Sequence, residues 1–100
     1  MVRVPTHREP IHPGEILLEE FLNPMELTQR DLADGIGVPY QRVNELVRGR
    51  RGVTPSTALR LGKFFGTSPD VWMNLQQRWD LYYAEVEEAA AIRKIRRVAG

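Results

Sequence analysis

Gly37 and Val38 are almost all the chain that separates two short amphipathic segments, and this brevity restricts the fold more than any other feature. The first segment opens at Thr28, a good N-cap because its hydroxyl satisfies a free N–H of the first turn. Asp31 adds negative charge near the positive end of that helix. Leu32, Ala33 and Ile36 form its apolar side, and Gly37 ends it with a residue free to turn left-handed. The second segment starts at Pro39, gathers Val43, Leu46 and Val47 on one side and ends near Gly49. So tight a link imposes a steep crossing angle and not a parallel hairpin. Close approach at the crossing needs a small residue, which Ala33 supplies. Val38, Val43 and Leu46 then wedge against Leu32 and Ile36. Helices joined in this way make a helix-turn-helix, with the second helix pushed outward.

The remaining chain reads as further helices separated by turn chemistry. Residues 1–12 carry Pro5 and Pro10 without a helical period and are expected to form an irregular arm. Pro13 suits the first position of a helix whose apolar stripe is Ile16, Leu17, Phe21 and Leu22, stopped by Asn23-Pro24. Thr54-Pro55 starts a fourth helix with Ala58, Leu59, Leu61, Phe64 and Phe65 apolar, ending at Gly66. Ser68-Pro69 repeats the start signal for a fifth. No run alternates with the period of a strand. The expected class is all-α with five helices: a helix-turn-helix domain over residues 13–81, then a helical extension and basic tail over residues 82–100.

In the fifth helix Trp72, Leu75 and Trp79 are expected to be core. A helix continuing from Pro69 to Arg97 would extend about 43 Å, past a body about 30 Å across. The overhang would carry Tyr82, Tyr83, Val86, Ile92 and Ile95. A second copy is the economical cover, so Tyr82, Tyr83, Val86 and Ile92 are the candidate dimer-interface residues. Two helix-turn-helix units held about 34 Å apart could enter successive major grooves.

Charge narrows the function. The net charge is only +1 over 100 residues, but it is unevenly placed. Residues 1–39 set Arg3, Arg8 and Arg30 against seven carboxylates. Residues 40–63 set Arg42, Arg48, Arg50, Arg51, Arg60 and Lys63 against Glu45 alone. The local excess coincides with the second helix of the tight pair. No cysteine is present, which excludes disulfides and thiolate zinc sites and suits a reducing cytoplasm. No apolar run is long enough to span a membrane. His7 and His12 sit in the irregular arm with nothing fixing a ligand geometry, so no metal is expected. No nucleophile–base pair or phosphate-cradling glycine loop appears, so neither an enzyme nor a cofactor is expected.

The outward flank of the second helix has the chemistry of base edges. Gln41 and Asn44 both donate and accept, as adenine requires, and Arg48 can make paired bonds to guanine. Glu45 either accepts from a cytosine amino group or orients an arginine. Arg42, Arg50 and Arg51 are assigned to phosphates, together with Thr28 and Gln29 at the N-terminus of the preceding helix. Tyr40 either meets a thymine methyl or sugar or packs beside that preceding helix. Arg60 and Lys63 are expected to pair within the chain. Glu85, Glu87 and Glu88 are expected to form a solvated face, able to pair with the basic tail.

The stretch TQRDLADGIGVPYQRVNELVRG closely resembles the helix-turn-helix of Xre-type repressors, with Gln29 opening the motif, Ala33 at the packing position and Gly37 at the turn. The flanks IHPGEILLEEFLNPMELTQRDLA and GRRGVTPSTALRLGKFFGTSPDVWMNLQQRWDL are similar to the HigA branch of antitoxins, over roughly residues 9–88. That resemblance implies a lambda-repressor-like DNA-binding domain and an antitoxin that neutralises a HigB-type ribonuclease toxin. It also implies repression of the shared operon by a homodimer on a palindromic operator. A stand-alone Xre-type repressor without a toxin partner is the alternative.

Overall fold

The computed structural model describes residues 8–99. Every regular element among them is helical. Helix α1 (Pro13–Ile16) runs directly into a π-helical stretch, Leu17–Leu22. Next come α2 (Gln29–Ile36), α3 (Tyr40–Val47), α4 (Pro55–Phe65), α5 (Pro69–Glu87) and α6 (Ala89–Arg93).

The starts and stops come from local chemistry. Thr28 Oγ1 accepts from the Asp31 N–H, and the Thr28 N–H donates to Asp31 Oδ2, both at 2.9 Å. Asp31 is therefore half of a reciprocal capping box, more than a charge near the dipole. The Thr28 N–H, and after it the Thr28 hydroxyl, hold the Asp31 carboxyl below the usual carboxylate range. Thr54 and Ser68 cap α4 and α5, each with proline at the first helical position. Gly37 and Gly66 close α2 and α4 with left-handed backbone, at φ 72° and 75°.

Two expectations are corrected. The first helix is not α-helical throughout: Asn23 N–H reaches back five residues to the Leu18 carbonyl, at 2.9 Å. The i→i+5 pattern lets Leu17 and Leu22, five residues apart, both be sealed in the core. The fifth helix does not continue to Arg97. It ends at Glu87, a length of 19 residues or about 28 Å, and a short α6 comes after a break at Glu88. Glu85, Glu87 and Glu88 put negative charge at the negative end of the helix, and no basic residue occupies its last turn. The residues beyond the break are exposed, so no packing opposes the break.

Leu17, Leu22, Leu32, Leu61 and Trp72 are fully buried at the centre. Each such side chain contributes about 1.5–3 kcal/mol through removal from water. Phe21 packs on both Phe65 and Trp72, with centroids at 4.8 and 5.0 Å, and Trp72 Nε1 donates to Thr67 Oγ1 at 3.0 Å. Ala33 is buried in one core with Leu32, Ile36, Val43 and Leu46, as the α2–α3 crossing requires. The described chain measures 52 × 24 × 22 Å, elongated by the far end of α5 and the residues after it.

His12 is structural. Its Nδ1 accepts from the Gly14 N–H at 2.9 Å and caps α1. Its ring stands edge-on to Trp79, 4.9 Å between centroids. An accepting Nδ1 requires the neutral imidazole. Burial pulls its pKa below 6.5, against the opposing pull of Asp80 and Glu15. Gly14 lies against α3 so closely that a Cβ would land on the Leu46 carbonyl. His7 lies outside the described residues.

Candidate nucleic-acid interface

Helix α3 buries Val43 and Leu46 and turns its other side outward. Gln41, Arg42 and Arg48 are exposed there, and Arg50 and Arg51 extend the exposed basic surface just past its end. The flank is open, not sealed against the rest of the subunit. Arg42, Arg48 and Arg50 make no ion pair among the described residues.

Two side-chain networks order this surface. In the first, Asn44 Nδ2 donates to Gln29 Oε1 at 3.0 Å, joining α3 to the first turn of α2. That bond leaves the Asn44 carbonyl oxygen and one of its hydrogens available to a ligand, and it leaves the Gln29 NH2 group able to donate. In the second, Arg51 Nε and Nη2 both lie 2.9 Å from Glu45 Oε1. The other carboxylate oxygen accepts from Gln41 Nε2 at 3.3 Å. Glu45 thus orients an arginine, one of its two expected roles, and its negative charge is compensated on a surface otherwise suited to phosphate. Arg42 and Pro39 complete a shallow basin around it.

Tyr40 packs beside α2, the second of its two alternatives. Its ring lies under the Arg30 guanidinium, 4.8 Å from carbon to centroid, while 41% of the residue stays exposed. Sequence reasoning missed Arg30 as a member of this surface. Its place next to Gln29, at the start of α2, was the available signal.

The outlying cations divide. Arg60 Nη1 donates to the Ile36 carbonyl at 2.6 Å and satisfies the C-terminal end of α2, as expected of an intramolecular partner. Lys63 departs from the expectation: it is exposed, makes no ion pair among the described residues, and lines an open groove with Leu59 and Phe64. Glu85, Glu87 and Glu88 are exposed and form no ion pair with the basic tail among the described residues. Tyr82 and Tyr83 are half-buried against each other, and Tyr83 also packs on Trp79. Val86 and Ile92 are exposed. No helix is long and apolar enough to cross a membrane among the described residues.

A helix-turn-helix family model matches residues 18–72, which hold the α2–α3 pair and its supports. The chain belongs to the Xre-type helix-turn-helix family. Within that family it is 49% identical over 78 residues to virulence-associated protein I of Dichelobacter nodosus, covering 78% of this chain and 72% of that one. Among solved structures of Xre-type proteins, the Pseudomonas aeruginosa antitoxin HigA with the higBA promoter superposes with a TM-score of 0.87. It is 39% identical, with 91% of this chain and all of that chain covered. The antitoxin GraA in complex with its operator superposes with the same TM-score of 0.87, at 38% identity over 98% of this chain and 100% of that one.

Proposed function

We propose that this chain is the DNA-binding antitoxin of a HigB/HigA-type pair, repressing its own operon as a homodimer and neutralising a ribonuclease toxin. The observation that carries the DNA reading is the open flank of α3, where amides and unpaired arginines stand together beside the capped start of α2. Likeness to HigA solved with promoter DNA and to GraA solved with its operator supports DNA as the partner. Gln41, Asn44 and Arg48 read bases. Thr28, Gln29, Arg42 and Arg50 hold phosphates, and Arg51 joins them when it leaves Glu45. Tyr82, Tyr83, Val86 and Ile92 form the dimer contact. An operator partner puts the site of action in the cytoplasm.

Co-expression with the product of the adjoining open reading frame tests the antitoxin half of the reading. The two chains should co-purify, and this chain should relieve inhibition of translation by the other. A neighbour that neither binds nor inhibits leaves a stand-alone repressor. Footprinting on the upstream DNA tests the other half, and an unprotected upstream region would refute it.

A further inference from the structure

The segment between α3 and α4 carries Arg48, Arg50 and Arg51 and has no regular structure of its own. Its start is held by α3, through Gly49 N–H to the Leu46 carbonyl at 3.0 Å and Arg50 N–H to the Glu45 carbonyl at 2.8 Å. Its end is held from across the fold. The Val53 N–H donates to Gln76 Oε1 on α5, at 2.7 Å and 23 residues away in sequence. Gly52 lies flat against the same amide: a Cβ there would come within 2.8–2.9 Å of all three terminal atoms of Gln76. On its other side, Gln76 Nε2 donates to Asp80 Oδ1 at 2.9 Å, which fixes which way the amide faces.

Gln76 is only 8% exposed, and Val53 is 5% exposed. An aliphatic side chain would fill the space at position 76 but leave the Val53 N–H buried without an acceptor. Such a group is expensive to leave unmade, so the segment would have to lift toward water. We propose that Gln76 is a positioning residue for DNA binding. It sets where Arg50 and Arg51 stand relative to the α3 flank, and it ties that position to α5, the helix whose far end carries the candidate dimer contact. This inference rests on the DNA-facing reading of α3. Gln76 itself touches no DNA; it acts through the backbone of Gly52 and Val53.

Three variants of the full chain test it: Gln76→Leu, Gln76→Glu, and Gln76→Glu combined with Asp80→Asn. The single carboxylate keeps an acceptor for Val53 but opposes Asp80. The double exchange reverses donor and acceptor and restores the bridge. Amide hydrogen exchange at Val53 and binding to a short mixed-sequence duplex across a salt series are the readouts. In Gln76→Leu, Val53 exchange should accelerate and affinity should fall about tenfold, with the salt slope shallower by about one phosphate contact. The double variant should return both to near the starting values.

Full affinity and an unchanged salt slope in a folded Gln76→Leu protein would overturn the proposal. So would a double variant that protects Val53 yet binds no better than the single carboxylate. If Gln76→Leu does not fold, the comparison of the single and double carboxylate variants decides on the same readouts. If the unsubstituted chain itself fails to bind the duplex, the DNA-facing reading falls. Val53 exchange then still reports whether Gln76 holds the segment.

Discussion

Removing the Glu45 carboxylate should strengthen binding to DNA while weakening the fold only slightly. Glu45 Oε1 holds the Arg51 guanidinium at 2.9 Å, and the two side chains remain 29% and 46% exposed. An ion pair this open contributes about 0.2–1 kcal/mol to stability. Glu45→Ala should therefore cost less than about 1 kcal/mol in urea denaturation. The same change removes one negative charge from the basic surface and frees Arg51. A freed arginine that engages one more phosphate releases one more counterion, so the slope of log affinity against log salt should steepen by about 0.9. Fluorescence anisotropy with operator and with mixed-sequence duplex, over a range of salt, measures this directly. The gain should appear on both duplexes and shrink as salt rises. A loss of affinity confined to the operator, with an unchanged slope, would refute the reasoning. It would mean that Glu45 reads a cytosine amino group instead of restraining Arg51.

Arg48→Ala should weaken operator binding by about 1–3 kcal/mol and relax preference at one base position, as measured by selection from a randomised site. Replacing Arg50 should weaken binding to all sequences alike and flatten the salt slope by about one contact. For His12, the native pKa is depressed by burial, so the unfolded chain takes up a proton first as pH falls. Urea stability should be level well above 6.5, decline through 6.5 and below, and become less pH-dependent in His12→Asn, which retains a capping side chain. Truncation after Leu81 should leave the early core folded, sediment as a monomer where the full chain is expected to sediment as a dimer, and weaken operator binding.

The parts of the fold that depend on neighbouring residues were legible in the sequence. Thr28, Thr54 and Ser68 cap their helices through atoms two or three residues away, and Gly37 turns the chain through its own backbone. The features that escaped depend on distant partners. A π-helical stretch is chosen by what Leu17 and Leu22 must both pack against, and its residues also suit an ordinary α-helix. The break at Glu88 comes from the lack of any packing to hold a charged helix end together. Nothing in the sequence distinguishes Gln76 from its polar neighbours Gln77 and Arg78, because its partner is the backbone of a loop 23 residues earlier. On the interface itself the residue types were readable, while their pairing was not. Nothing in the spacing dictated that Asn44 would bond Gln29 or that Arg51 would fold back onto Glu45.

The contact between Gly14 and the Leu46 carbonyl has a practical outcome for genetics. Any side chain at position 14 must push α3 off its seat and tilt the flank proposed to read DNA, although Gly14 is itself buried beneath that helix. A screen for derepressed mutants should therefore return changes at Gly14 beside changes at the arginines. Melting temperature would sort them: the arginine mutants should denature like the parent, and the glycine mutants earlier.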